Sequence, residues 1–110
     1  MPLRFGLTEE DIAIITDLLS REPHVERAYI FGSRAKGNYK TGSDVDIALK
    51  GEQLTSDDIR RISDLLNEET NLPYRFDVLN YHALQEPALV EHIDHVGLMF
   101  YEKVSQRFAR

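Results

Sequence analysis

Asp44-Val45-Asp46 opens an apolar run, and ten residues separate it from Gly32-Ser33, where an earlier run, Ala28-Tyr29-Ile30-Phe31, stops abruptly. Side chains alternate between the two faces of a strand, so Asp44 and Asp46 point the same way, roughly 6–7 Å apart at Cβ. Val45, Ile47 and Leu49 point the other way, the pattern of a half-buried strand. Two carboxylates ~5 Å apart repel by about 3 kcal/mol at an effective dielectric near 20. That is a large share of a small domain's stability of roughly 5–15 kcal/mol. Solvent must screen them or a cation must sit between them. Paired Asp with open positions suits Mg²⁺, which takes oxygen ligands and binds one or two carboxylates plus substrate phosphates.

A third acid narrows the chemistry. Asp77 lies within a run expected as a later strand, between Phe76 and Val78. If that strand neighbours the one carrying Asp44 and Asp46, ~4.8 Å away, Asp77 faces the same cleft. Three such acids make sense around a pair of Mg²⁺ ions that clamp the attacking and leaving oxygens of an in-line displacement at phosphorus. Gly32-Ser33 supplies a complementary anion site. Glycine permits close backbone approach, the following N–H groups open a short helical turn, and the Ser33 hydroxyl can donate to a phosphate oxygen. Arg34 and Lys36 could add positive charge, or could face solvent. The segment GSRAKGN is not a P-loop, because Asn38 and Tyr39 stand where Lys and Ser/Thr are required. Nor do the paired acids Asp44 and Asp46 open an EF-hand, since the downstream Gly and Glu are missing from their positions.

The bulk properties bound what can carry this chemistry. The 110 residues suit one domain, expected over 1–102, with a basic tail at 103–110. The net charge of −6 argues against broad nucleic-acid binding, which needs clustered Lys and Arg, so no direct contact with nucleic acid is expected. A nucleotide substrate is still allowed, because a divalent ion reverses the sign of a local site. No apolar run approaches the ~18 residues of a membrane span. The segment MPLRFGLTEED lacks the apolar stretch of a secretory signal, and there is no cysteine. A cytoplasmic location is expected.

The positioning elements follow from periodicity. A first helix is expected from Thr8 to Ser20, with Thr8 and Asp11 as a capping box and Ile12, Ile15, Leu18 and Leu19 as its stripe. Val25–Phe31 reads as the first strand, and Ser33 as the cap of a short turn through Lys36. Lys40-Thr41-Gly42-Ser43 is loop chemistry, and Asp44–Leu49 is the second strand. Ser56 is expected to cap a helix running to about Thr70 with Ile59, Ile62, Leu65 and Leu66 inward, and the charges of TSDDIRR are expected on a solvated face. Tyr74–Leu79 is the third strand. Pro87 begins a last helix striped by Leu89, Ile93 and Val96, and Leu98–Tyr101 is a final strand. His92 and His95, three apart, are expected on solvated helix surface. The order predicts an α+β domain, with helices packed on a small mixed sheet.

The string GSRAKGNYKTGSDVDIAL, with RFDVLN and VGLMFYE downstream, resembles the polymerase β-like nucleotidyltransferase superfamily, and within it the minimal nucleotidyltransferase (MNT) domains, over nearly the whole chain. The resemblance implies that Asp44 and Asp46 bind both Mg²⁺ ions and hold an NTP triphosphate. It implies that Asp77 ligates the catalytic ion and helps deprotonate the attacking hydroxyl, and that Gly32 and Ser33 grip the β- and γ-phosphates. The implied reaction transfers a nucleoside monophosphate to a hydroxyl and releases pyrophosphate. MNT domains of this size are paired with HEPN-domain ribonuclease toxins. The leading expectation is therefore an antitoxin that moves AMP from ATP to a toxin tyrosine. The alternatives are an antitoxin that works by occlusion alone, or an enzyme acting on a small molecule or an RNA end with a partner subunit supplying the missing lobe.

Overall fold

The alternation of VDIALK sets the architecture. In the computed structural model, which describes residues 4–40 and 42–103, Val45, Ile47 and Leu49 are wholly buried on one face of strand β2 (Val45–Lys50). Strand β1 (Arg27–Phe31) lies antiparallel to β2, and β3 (Phe76–Asn80) lies parallel to it. Strand β4 (Leu98–Glu102) pairs antiparallel with the other edge of β1, giving the order β3-β2-β1-β4. This is the mixed sheet of an α+β fold, in the element order that periodicity predicts.

Helices cover both faces. Helix α1 (Glu9–Ser20) places Ile12, Ile15 and Leu19 on the Val45 face. So does α3 (Ser56–Asp64), with Ile62, followed by a π turn over Leu65–Glu69 that contributes Leu66. On the opposite face α4 (Pro87–Val96) sets Ile93 against Phe31 and Ala48, with Tyr29, Leu79 and Leu89 around them. The short α2 (Gly32–Lys36) follows β1 directly. The segment expected as a basic tail lies outside the described residues from position 104 onward, as does Thr41 of the expected loop.

Two expectations are corrected. The cap of α3 is Thr55, not Ser56. Its hydroxyl accepts the Asp58 N–H at 3.1 Å while the Asp58 carboxylate accepts the Thr55 N–H at 3.0 Å. It repeats the Thr8–Asp11 box of α1. Nor is TSDDIRR uniformly solvated. Asp58 is buried and also bonded to His24 Nδ1 at 2.7 Å and Arg61 Nη2 at 2.9 Å, and Arg61 continues to the buried Glu22. The π turn has its own task. Asn67 accepts the Phe76 N–H at 2.8 Å and donates to the Phe76 carbonyl at 3.0 Å, fixing the start of β3.

Hydrogen bonds from His24 and then Arg61 hold the Asp58 carboxyl well below the ordinary carboxylate range, against the opposing effect of burial. A depressed folded-state value contributes stability that is present above the ordinary Asp value of about 4 and lost as the pH falls below it. Asp58→Asn is expected to cost about 1–3 kcal/mol at neutral pH. Its deficit against the unsubstituted protein should shrink from roughly pH 4 downward, measured by denaturant unfolding across pH.

Candidate active site

The acids meet where β2 and β3 run side by side. Asp46 pairs with Asp77 in the parallel register, and on its other side opposes Phe31 in the antiparallel register. In-register residues on neighbouring strands share a face. Both carboxylates therefore stand on the α4 side, opposite Val45, Ile47, Phe76 and Val78. Asp77 is exposed and Asp46 half-buried. Asp44 precedes β2 and is exposed at its mouth. Clefts of about 630 and 480 Å³ flank α3, and none of the three acids lines them. Asp44 and Asp77 are open to solvent, with Asp46 half-buried between the strands.

Their electrostatics are those of crowded anions. Burial first, then the charges of Asp77 and Asp44, push the Asp46 carboxyl above its usual value. A cation among them would reverse this effect. Among the described residues no group of three or more His, Cys, Asp or Glu side chains is placed to hold a metal ion, so Asp44, Asp46 and Asp77 are not gathered into one ligand set. Oxygen-only donors on an open surface fit an ion that draws the rest of its shell from phosphate and water, which is the habit of Mg²⁺.

Gly32 lies against this group. Its φ is +75°, a conformation that favours glycine, and a Cβ at this position would meet Asp46 Oδ2 at 2.2 Å. The bend therefore brings backbone against carboxylate as closely as atoms allow. Helix α2 begins at Gly32 itself, with Phe31 at the cap position, so Ser33 stands inside the first turn and does not cap it.

Arg34 is turned to a different use from the one expected. It is 4% exposed. Nη1 donates to the Phe5 carbonyl at 2.8 Å, Nη2 to the Ser43 carbonyl at 2.8 Å, and Nε to the Asp44 carbonyl at 3.3 Å. The rings of Tyr39 and Tyr74 cover the guanidinium, each 5.1 Å from it. With all three nitrogens engaged by backbone and the side chain buried, Arg34 anchors the segment leading into Asp44 and is not presented to a phosphate. Lys36 is exposed.

His92 corrects another expectation. It is not free helix surface: its Nε2 accepts the Gly32 N–H at 3.1 Å, and its ring meets Phe31 edge-on at 6.0 Å between centroids. His95 is exposed. Sequence spacing could not have found this contact, which spans 60 residues. Asn67, which fixes the strand beside Asp77, was equally invisible, being one polar residue in a helical run.

Arg34→Lys keeps the charge but not the planar fork that reaches two separate carbonyls. It is expected to destabilise the protein by roughly 2–4 kcal/mol. For a chain of this size that is a fall in melting temperature of about 10 °C or more by thermal unfolding.

Comparison with known proteins gives this geometry a family. The model of the family "Polymerase beta, Nucleotidyltransferase" matches residues 13–106. "Probable protein adenylyltransferase MntA" of Haemophilus influenzae is 34% identical over 86 residues, spanning 76% of this chain and 73% of that protein. A crystal structure of a toxin–antitoxin with AMP-PNP is similar with a TM-score of 0.68 at 22% identity, over 90% of this chain and 77% of that one. So is a chain in the complex of a tri-AMPylated Shewanella oneidensis HEPN toxin with MNT antitoxin, with a TM-score of 0.63 at 19% identity, over 89% of this chain and 73% of that one. At these identities the solved structures show a shared fold, while the family match runs through every strand and all three acids. This chain belongs to the polymerase β nucleotidyltransferase family.

Proposed function

We propose that this nucleotidyltransferase moves AMP from ATP to a protein hydroxyl, a tyrosine of a HEPN-domain toxin, and so acts as the antitoxin of that partner. The observation that carries the reading is the in-register pair of Asp46 and Asp77 beside the Gly32 bend. The relative named a protein adenylyltransferase and the similar toxin–antitoxin structures with AMP-PNP and with an AMPylated toxin support the choice of nucleotide and acceptor.

In this reading Asp44, Asp46 and Asp77 would hold two Mg²⁺ ions, which would supply charge neutralisation at the phosphates and ease ionisation of the acceptor. With ions bound, Asp44 and Asp46 would hold the triphosphate. The Ser33 amide and hydroxyl grip the β- and γ-phosphates, and Gly32, without a side chain, lets them approach. Asp77, exposed on its strand, helps take the proton of the incoming hydroxyl. The hydroxyl oxygen forms the new bond to the α-phosphorus, the bond to the bridging oxygen of the β-phosphate breaks, and pyrophosphate leaves. Arg34 contributes by anchoring the approach to Asp44, not by binding phosphate.

The test is intact-mass measurement of the HEPN partner after incubation with this chain, ATP and Mg²⁺. Added AMP on a tyrosine is expected; an unmodified partner sinks the protein-acceptor reading. Asp46→Asn is expected to slow transfer by roughly a hundred- to a thousandfold while complex formation persists, because it removes charge at the reacting centre. Neutralisation of the toxin that survives in Asp46→Asn would instead favour occlusion. Gly32→Ala, strained at φ +75° and clashing with Asp46, is expected to lose about 1–3 kcal/mol of stability and most of the transfer rate.

A further inference from the structure

His92 stands on the second turn of α4 and directs its ring at the start of α2. The bond it makes is specific in kind. The Gly32 N–H donates to Nε2, so that nitrogen carries no proton and the ring is bonded as the neutral imidazole with its hydrogen on Nδ1. Gly32 N–H has no acceptor within its own short helix, as the first amides of any helix lack one. Water could serve an exposed amide equally well, yet here a half-buried ring from an element 60 residues away supplies the acceptor. The ring is steadied in turn by its edge contact with Phe31, the residue before Gly32 and the cross-strand neighbour of Asp46. On its other side Gly32 abuts the Asp46 carboxylate. The bend is thus held between an imidazole acceptor and one of the acids.

We infer that His92 is a positioning residue for nucleotide binding: by accepting the Gly32 N–H it fixes the bend against Asp46, so that Ser33 and the carboxylate meet the phosphates in one pose. This rests on the nucleotidyl-transfer reading above. The bond persists when nucleotide is bound, and the phosphates are met by the amides after Gly32, not by Gly32 itself. A residue that merely filled space under α2 would be replaceable by any ring of similar size; one that accepts a hydrogen bond is replaceable only by another acceptor.

Three variants and the unsubstituted protein separate these cases, with AMP-PNP and Mg²⁺ as the probe and calorimetric Kd as the readout. His92→Phe keeps an aromatic edge on Phe31 but cannot accept; it is expected to weaken binding roughly tenfold, the scale of one lost hydrogen bond. His92→Gln, whose amide oxygen accepts the same N–H, should return to within about twofold of the unsubstituted protein. Asp46→Asn reports on the underlying reading. If it binds the probe as well as the unsubstituted protein does, nucleotide binding at the acids is wrong and this inference falls with it. If Asp46→Asn is impaired and His92→Phe is not, only the role of His92 is overturned. Equal loss in His92→Phe and His92→Gln also overturns it, because an acceptor at this position would then restore nothing. A direct measurement needs no variant. The through-bond ¹⁵N–¹⁵N coupling between Gly32 N and His92 Nε2 should be present in the unsubstituted protein and survive saturation with the probe. Its absence, or its loss on binding, overturns the inference even if His92→Phe does not fold.

Discussion

Burial on one face of two parallel strands forces like charges together on the other. Val45 and Ile47 on β2, with Phe76 and Val78 on β3, are locked into the core by α1 and α3. Because side chains alternate strictly, burying these four puts Asp46 and Asp77 together on the other face, and the register of the two strands sets them side by side. Sliding either strand by one residue would separate the acids only by driving one of them inward and exposing that strand's apolar residues. Hydrophobic burial at about 25 cal/mol per Å² thus opposes a repulsion that would otherwise part the two carboxylates. The charged pair is a strained feature secured by a much larger apolar surface behind it.

Around that pair, the remaining contacts fix backbone more than side chains. Arg34 gathers the carbonyls of Phe5, Ser43 and Asp44 about one buried guanidinium, so the irregular approach to β2 ends at a defined point. Its burial is tolerated because all its donating nitrogens have carbonyl partners and two tyrosine rings cover its faces. The charge also lies near enough to Asp46 to offset part of the effect of the neighbouring acids. One cation thereby serves the fold and the acids through backbone, without an ion pair to their carboxylates.

The elements and the acids were legible because both have local signatures. VDIALK alternates, the Thr8–Asp11 box announces α1, and Pro87 marks the start of α4. Asp44, Asp46 and Asp77 stood out as charges in or beside runs that should be apolar. What the sequence concealed were pairings between a polar side chain and a distant backbone group. Arg34 looks like any exposed cation in GSRAKGN, yet its partners include a carbonyl 29 residues upstream. His92 pairs with its neighbour His95 in the sequence but with Gly32 in space. The charges of TSDDIRR divide between solvent and interior for the same reason: Asp58 at N3 of the helix must turn back to the cap, which aims it at His24.

The amide of Asn67 has a consequence for the outer border of the sheet. Strand β3 is an edge, and an edge strand offers unpaired N–H and C=O groups on which a foreign strand can template itself. By taking both the N–H and the carbonyl of Phe76, Asn67 occupies that border one residue before Asp77, as a strand partner would. A side chain thereby mimics a neighbouring backbone where an intruding peptide would bury the acid. The opposite border, β4, has exposed Leu98 and Met99. Of the two rims of this sheet, the one bearing the carboxylate is closed at that point to adventitious strand addition.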